Sequence, residues 1–293
     1  MNVSIIIRTY NEEKHLRDLL QSIQNQDCNG IDYEVVIIDS GSTDQTLDIA
    51  RQFKTRTIHI CKDEFSFGRS LNMGCEAASG EILVFISGHC IPASRVWLHE
   101  LISPLGSNSI VYTYGFQHGN EISRFSECQL FAKNFSARSR IPQDGIYCNN
   151  ANAALLKEIW HQHRFDEELT GLEDMHLSKR LVGQGYKIGY VAEAPVYHLH
   201  HEKWAQIKRR FEREAIALRH IMPEIQISFF DFLHYFFSAV ILDMRVAFQQ
   251  RLFSKKAGEI LMYRLMQFWG SYRGNHLHRK LSKQRKEAYF YPR

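Results

Sequence analysis

The feature that most constrains the fold is a regular alternation of apolar strand-like runs and helical segments over the first 90 residues. The run VSIIIRTY (3–10) is nearly continuous in β-branched residues, which is typical of a strand buried on both faces. Apolar residues between Leu16 and Ile23 then recur at helical spacing. Strands and helices go on alternating up to GEILVFIS (80–87), which predicts an α/β fold with a mostly parallel central sheet flanked by helices.

In such sheets, ligands bind at the carboxyl ends of the strands. The predicted strand ends here carry small polar and charged residues, at 8–11, 39–41 and 87–89. A carboxylate at Asp39 can accept a hydrogen bond from a nucleotide base or a ribose hydroxyl. Capping of the turn DSGSTD by Asp39 and Asp44 is an equally good interpretation, and the spacing does not separate the two.

Several function classes are disfavoured by what the sequence lacks. The phosphate-binding patterns G-x-G-x-x-G and G-x-x-x-x-G-K-[ST] are both missing, which disfavours a dinucleotide dehydrogenase and a P-loop kinase. The six cysteines form no CxxC pair, and a reducing compartment is the simpler expectation. The N-terminus MNVSIIIRTYNEE lacks a basic n-region, so it is not expected to be a signal peptide.

Five segments occur in an order and at a spacing that resemble the family 2 glycosyltransferases, particularly their bacterial rhamnosyltransferase-like branch. They are TYNEE, EVVIIDSGSTDQT, SLNMGCEAASGEILVFIS, FDEELTGLEDMHLSKRL and GYKIGYVAEAPVYH. The resemblance covers about residues 1–200. It implies a GT-A (nucleotide-diphospho-sugar transferase) fold and transfer of a sugar from a nucleotide-diphosphate donor with inversion, usually with Mn²⁺ or Mg²⁺.

The resemblance also implies a set of donor-binding residues. The residues that match the family's nucleotide-sugar pocket are Thr9, Asn11, Glu12, Asp39, Ser42, Asn72 and Gly88. Two positions depart from the family pattern, because Leu71 replaces a usual arginine and Arg8 replaces a frequent proline. These departures concern the fine shape of the donor pocket.

The stretch FISGHCIP (85–92) aligns with the family's D-x-D metal motif, and His89 falls where the metal-binding aspartate would be. His198 matches a distal histidine that completes the metal site in several GT-A enzymes, although His200 and His201 lie close in sequence. A neutral imidazole binds Mn²⁺ and softer divalent ions, whereas losing carboxylates weakens binding of Mg²⁺. The expectation is a His89–diphosphate–His198 metal site, and the alternative is metal-free activity with Arg or Lys facing the diphosphate.

The resemblance assigns the catalytic base to Asp174, the aspartate of the family's Glu-Asp pair. An inverting transfer is a single displacement, so the acceptor hydroxyl must lose its proton as it attacks, and a carboxylate can take it. Glu173 is expected to orient the acceptor or the neighbouring loop. The alternative is an acidic pair that only stabilises the first turn of a helix.

Residues 1–204 are expected to form the catalytic domain and residues 205–293 a helical, basic extension. Between Arg245 and Arg293 there are 12 Lys or Arg and 2 Glu. The apolar run 229–244 is interrupted by charged residues and is too short for a bilayer span of about 20 residues. These helices are expected either to lie on an anionic membrane or to pack against the catalytic domain or a second subunit.

The sequence therefore predicts an inverting glycosyltransferase of bacterial surface polysaccharide synthesis. Its expected partners are a nucleotide sugar donor, a glycan or lipid-linked acceptor and an anionic membrane, with a homodimer possible and nucleic acid not expected. The expected location is peripheral, on the inner face of the cytoplasmic membrane. The rival hypotheses are a non-catalytic membrane-associated GT-A-like scaffold and a nucleotidyltransferase.

Overall fold

The computed structural model describes residues 1–276 and Phe290, which form two compact units. The first unit comprises 1–118, 135–168 and 173–199. The second comprises 119–134, 169–172 and the chain from His200 onward. The second unit thus begins slightly before the expected boundary at 204, and it takes two short segments that the sequence analysis had placed with the catalytic domain.

The first unit is built on one mixed sheet with strand order β3-β2-β1-β4-β7-β6-β8-β5. The strands are β1 (Asn2–Thr9), β2 (Asp32–Asp39), β3 (Arg56–His59), β4 (Ile82–Ser87), β5 (Cys90–Pro92), β6 (Ile110–His118), β7 (Asn152–Leu156) and β8 (Lys187–His198).

The helices follow the strands in the alternating order that the first 90 residues predict. They are α1 (Leu16–Gln24), α2 (Thr46–Ala50), α3 (Phe67–Ala77), α4 (Trp97–Ile102), α5 (Phe125–Asn134), α6 (Lys157–Gln162), α7 (Glu173–Gly183), α8 (Trp204–Ile221), α9 (Phe229–Gln249) and α10 (Phe253–Asn275). Of these, α5, α8, α9 and α10 belong to the second unit.

The sheet is parallel in its first half. Strands β1, β2, β3 and β4 pair in parallel, as does β6 with β8. Strand β7 runs antiparallel to both β4 and β6, and β5 runs antiparallel to β8. Because β2, β1 and β4 are adjacent and parallel, their carboxyl ends meet at one edge of the sheet, where the sequence placed its candidate ligand site.

The core of the first unit explains why these segments form strands. Ile5, Ile7, Val36 and Ile37 are fully buried, as expected for strands covered on both faces. On α1, Leu16, Leu19, Leu20 and Ile23 are buried, which is the apolar stripe that the spacing predicts. Burial of this apolar surface is the main stabilising contribution to such a fold.

The second unit is helical, as the sequence predicts for the chain beyond Trp204. Helix α10 packs against α8 and α9, and the short helix α5 also contacts it. Within the part of the chain that is described, no helix combines the length and apolar character needed to cross a bilayer. The basic stretch 277–289, part of the expected membrane-facing tail, lies outside the described residues.

Candidate active site

The two candidate metal-binding histidines lie side by side in the first unit. His89 occupies the turn between β4 and β5, and His198 is the last residue of β8. Strand β5 pairs with the end of β8, with Cys90 opposite His198, and this pairing brings the imidazoles together. Their rings stack with centroids 5.1 Å apart, and a ligand nitrogen of His89 lies within 4.8 Å of one of His198.

The hydrogen bonds of the two rings define their tautomers. Nδ1 of His89 lies 2.7 Å from Oε1 of Glu12, and Nδ1 of His198 lies 2.8 Å from Oε1 of Gln117. A carboxylate and an amide oxygen only accept, so each Nδ1 carries the proton and donates it. Each Nε2 therefore carries the ring's lone pair, which is the arrangement of a metal-binding histidine oriented by an outer acceptor.

The donor set therefore fits a divalent ion, with His89 and His198 as the candidate ligands and Glu12 and Gln117 as their supports. The amide nitrogen Nε2 of Gln117 is buried and has no hydrogen-bond partner in the structure. A buried unpaired donor is costly, and it suggests that an acceptor enters this region when a ligand binds. Glu12, predicted in the nucleotide pocket, is hydrogen-bonded to His89 in this structure, and its contact with a nucleotide stays a prediction.

A glycine lets Glu12 approach the end of β4. A Cβ atom added at Gly88 would lie 2.8 Å from Cγ of Glu12 and 3.1 Å from the carbonyl oxygen of Arg8. Such contacts are too short for any larger residue without movement of the loop. Gly88 is therefore required for the Glu12–His89 contact, a reason that the family alignment alone does not reveal.

The predicted nucleotide-pocket residues at the ends of β1 and β2 do come together. Asn11 adopts a left-handed conformation with φ of 57°, which asparagine tolerates better than most residues. Its Oδ1 accepts a hydrogen bond from the backbone N–H of Thr43 (2.8 Å), and its own N–H donates to Oγ of Ser42 (2.9 Å). The two loops are therefore fixed to each other beside Thr9.

Asp39 caps the turn that follows β2. Its carboxylate is fully buried and accepts hydrogen bonds from the backbone N–H groups of Gly41 (2.9 Å) and Ser42 (3.0 Å). It also accepts from the hydroxyls of Ser42 (2.5 Å) and Thr9 (3.1 Å). The capping interpretation, left open by the sequence, describes these contacts, and contact with a nucleotide base stays a prediction.

Asn72, expected to approach the donor, has a structural role in this geometry. Its Nδ2 donates to the carbonyl of Phe165 (3.0 Å) and to Oε1 of Glu167 (2.8 Å). Its Oδ1 accepts from Nε1 of Trp160 (3.0 Å) and from the backbone N–H of Phe165 (3.2 Å). The side chain is buried and its hydrogen bonds are used within the protein, so it braces α3 against the 160–167 segment rather than facing the donor.

Asp174 lies in the first turn of α7, as predicted, and is 8% exposed. Its Oδ2 accepts from the backbone N–H of Asn150 (2.8 Å), and its Oδ1 accepts from the N–H of Met175 (2.7 Å). Burial and then the neighbouring charge of Glu173 raise the pKa of Asp174 to about 7, against the lowering effect of the two N–H donors and of Arg8. A carboxyl with this pKa exchanges its proton near neutral pH, as a general base must.

Arg8 connects the end of β1 to the acidic pair. Its guanidinium lies 3.2 Å from Oε1 of Glu173 and 4.9 Å from the centre of the Phe67 ring. The sequence identified Arg8 only as a departure from the family pattern. Its partner is 165 residues away in the chain, so no local signal could have revealed the pair.

Sequence reasoning also missed two other residues, Gln117 and Asn150. Neither residue stands in one of the segments that carry the family resemblance. Their partners, His198 and Asp174, are 81 and 24 residues away. The pairing of β6 with β8 brings Gln117 beside His198, which no local signal in the sequence indicates.

A family model described as glycosyl transferase family 2 matches residues 4–164, more than half of the chain. The chain belongs to glycosyl transferase family 2. The predicted family is confirmed. The ends of β1, β2 and β4 and His89 fall within the matched region, whereas Asp174 and His198 lie beyond it.

Two curated relatives show the same relationship at the level of named proteins. Glycosyltransferase AglE of Haloferax volcanii is 28% identical over 196 residues, which span 64% of this chain and 64% of AglE. The O-antigen chain rhamnosyltransferase WbaN of Salmonella anatum is 28% identical over 180 residues, which span 57% of this chain and 56% of WbaN. The chain thus matches somewhat less than two thirds of the length of either relative.

Solved structures confirm the fold. The mannosyltransferase PcManGT from Pyrobaculum calidifontis, solved with GDP-Man and Mn²⁺, superposes with a TM-score of 0.59 and 18% identity, covering 93% of this chain and 84% of that one. TarS of S. aureus gives a TM-score of 0.53 and 17% identity, with 95% and 93% coverage. The predicted GT-A fold, with its central sheet, flanking helices and C-terminal helices, is therefore correct.

Proposed function

We propose that this chain is an inverting glycosyltransferase that moves a sugar from a nucleotide-diphosphate donor to a hydroxyl of a glycan or lipid-linked glycan. The proposed setting is bacterial surface polysaccharide synthesis, and the relative WbaN is named an O-antigen chain rhamnosyltransferase. The observation that carries the proposal is Asp174. It is a buried carboxyl with a pKa of about 7, held by two backbone N–H groups within the first unit.

In the proposed mechanism, Asp174 accepts the proton of the acceptor hydroxyl as that oxygen attacks the anomeric carbon. The N–H groups of Asn150 and Met175 fix both carboxylate oxygens, so the base does not have to reorganise during the reaction. General base catalysis of this kind contributes about 10²–10⁴-fold to rate. Glu173, bound by Arg8, orients the start of α7 beside the base.

The leaving diphosphate gains negative charge, which a cationic group must meet. We propose that His89 and His198 hold a divalent ion for this purpose through their Nε2 atoms, with Mn²⁺ favoured over Mg²⁺ because imidazole nitrogen suits it better. When bound, such an ion supplies positive charge to the diphosphate oxygens. Glu12 and Gln117 keep both rings in the required tautomer.

We further propose that the loops after β1 and β2 bind the nucleotide. Thr9, Asn11 and Ser42 are brought together there, and Asp39 supports the turn from below through its four hydrogen bonds. Asn72 supports the 160–167 segment. The donor sugar, the base and the acceptor are proposals at the level of chemical class only.

We propose a peripheral location on the inner face of the cytoplasmic membrane, where a lipid-linked acceptor would be found. Two observations support it. The six cysteines are free thiols, as in a reducing compartment. The excess of Lys and Arg after Arg245 suits an anionic surface. Deleting the basic segment 277–293 should weaken binding to anionic vesicles, and unchanged binding would contradict this electrostatic part of the proposal.

The test of the function is a donor-turnover screen. Sugar conjugates of UDP, dTDP, GDP and CMP are incubated with the protein in Mn²⁺, in Mg²⁺ and in EDTA, and nucleotide release is measured. The proposal predicts release from one donor class, loss of activity in EDTA, recovery with Mn²⁺ and loss in His89→Ala. Turnover unaffected by EDTA would remove the metal and keep the transferase. If no donor turns over or shifts thermal stability, the scaffold hypothesis is favoured instead.

A further inference from the structure

Helix α9 of the second unit leaves a long apolar stripe exposed to solvent. Phe230, Phe237, Ile241 and Phe248 are spaced by seven, four and seven residues, so they lie along one line of the helix. They are 81%, 56%, 64% and 74% exposed, respectively. The stripe runs for about 27 Å at 1.5 Å per residue. A contiguous apolar surface of this kind marks an interaction site.

The stripe is not the face that forms the helical core. The buried residues of α9 are Phe232, Val240, Asp243 and Ala247, which lie on the other side of the helix. On that side, Asp243 forms an ion pair with Arg264 of α10 at 2.7 Å, and the Phe232 and Trp269 rings pack edge to face at 5.6 Å. The packing of α9 within its unit is therefore complete without the stripe.

One end of the stripe is strongly basic. The turn between α9 and α10, taken here together with the adjoining helix ends as residues 245–256, contains four Lys or Arg and no acidic residue. Lys256 is paired with Glu259 at 3.1 Å, while Arg245, Arg251 and Lys255 are exposed. Phe248 and Phe253 are exposed in the same turn. Exposed aromatic rings and cations thus share one end of the helical pair.

We propose that this face, comprising the α9 stripe and residues 245–256, docks onto an anionic lipid bilayer with α9 lying in the plane of the interface. The phenylalanines and Ile241 would enter the boundary between headgroups and acyl chains, and the three exposed cations would contact anionic headgroups. The inference rests on the proposed transfer to a lipid-linked acceptor, and it names the surface that would carry the chain to that acceptor.

Charge favours a bilayer over a second copy of the chain as the occupant. In a two-fold interface, the same patch of both subunits meets itself. The exposed cations Arg245, Arg251 and Lys255 of both copies would then enter one interface, and the face itself offers no acidic residue to pair with them. Like charges placed together at an interface are unfavourable, whereas an anionic membrane complements them.

The experiment measures binding of the full chain to sedimenting phosphatidylcholine vesicles with and without phosphatidylglycerol, at low and high salt. The test variant is Phe237→Gln/Phe248→Gln, since glutamine keeps helix propensity and both side chains are exposed. The matched control is Val96→Gln/Ile122→Gln, which removes two exposed apolar side chains from outside α9 and α10. A charge variant changes Arg245, Arg251 and Lys255 to Gln. Donor turnover and elution volume are measured for every protein.

We expect vesicle partitioning of the stripe variant to fall about tenfold or more at both salt concentrations. The reason is that the variant lacks two aromatic side chains that would be buried in the bilayer. The control should bind as the unchanged protein does. The charge variant should show a weaker preference for phosphatidylglycerol, since the basic segment 277–293 is still present in it. Equal binding by the stripe variant and the unchanged protein would overturn the proposal. A second result would also overturn it: the unchanged protein elutes as a dimer, the stripe variant alone elutes as a monomer, and both still bind lipid. That result would assign the face to a second copy of the chain. Vesicle binding without donor turnover would instead overturn the proposed function and leave the docking surface standing.

Discussion

At the scale of residues, ionisable groups from four parts of the first unit surround Asp174, and two of them are charged. Glu173 precedes it on α7, and Arg8 of β1 pairs with Glu173 and lowers the pKa of Asp174 through its charge. Tyr112 of β6 and Cys148 before β7 also face it. Burial raises the pKa of both Tyr112 and Cys148 well above their ordinary values, so both stay neutral at physiological pH. The charges that control Asp174 are therefore those of Glu173 and Arg8.

The account predicts a specific acid limb in the pH profile of kcat/KM. The base works as a carboxylate, and the pKa of Asp174 is about 7. Activity should therefore fall about tenfold per pH unit below 7 and level off above it. Glu173→Gln removes a negative charge and should move the limb to lower pH, whereas Arg8→Met removes a positive charge and should move it to higher pH.

Opposite shifts in these two variants are the signature of electrostatic positioning. A purely structural role for the Arg8–Glu173 pair would lower activity at every pH and leave the limb in place. Each shift should change kcat/KM at pH 6 by about threefold to tenfold, with little change at pH 8.5. Arg8→Lys, which keeps the charge, is the control and should keep the limb near its original position. Limbs that do not move, or that move in the same direction, would contradict the assignment.

Glu12 allows a test of the metal site that needs no activity. Glu12→Ala removes the acceptor of the His89 N–H and should weaken Mn²⁺ binding about 10–100-fold in a calorimetric titration. Glu13→Ala is the matched control, because it removes the same charge at the next residue. The Glu13 carboxylate accepts a hydrogen bond from the backbone N–H of Gln45 and not from His89. Equal Mn²⁺ affinity in the two variants would show that Glu12 does not support the ion.

At the scale of elements, the sequence predicted the strands and helices whose periodicity is strong. Strands β1, β2 and β4 are apolar runs, and α1 has a clean apolar stripe. Strand β7 cannot be recognised from its periodicity, because ANAALL is rich in alanine and runs directly into α6. Its strand conformation comes from pairing with β4 and β6, which is a tertiary effect.

The pairing of α9 with α10 depends on a buried ion pair. The Arg264 guanidinium binds both carboxylate oxygens of Asp243, at 2.7 and 2.8 Å, with both side chains under 10% exposed. Arg264→Met should destabilise the protein by about 3–5 kcal/mol, because it leaves a buried carboxylate without a partner. The measurement is urea unfolding followed by circular dichroism.

The double change Arg264→Met/Asp243→Leu should recover most of this loss, since neither charge is then buried alone. As a control, Arg51→Met breaks the exposed Arg51–Asp48 pair and should cost less than about 1 kcal/mol. If the double variant were no more stable than Arg264→Met, the cost would come from lost packing and not from the unpaired charge.

At the scale of the whole molecule, the sequence predicted the fold, which is confirmed, and a base at Asp174, which stays a prediction, but not the contacts that support the candidate site. Asp174, His89 and His198 were identifiable because they stand at motif positions after predicted strands or at a helix start. Their supports Arg8, Gln117 and Asn150 were not, because each contact joins segments that are far apart in the chain. For Asn72, the motif match predicts contact with the donor. In the structure, its four hydrogen bonds instead join α3 to the 160–167 segment.

Asp174 is the proposed base of the sugar transfer. The most direct test is the turnover of the nucleotide-sugar donor by the unchanged protein and by Asp174→Asn, with donor binding measured on both. We expect a loss of about 10²–10⁴-fold in kcat with donor affinity nearly unchanged. An Asp174→Asn protein that binds the donor and turns it over at the original rate would contradict the claim.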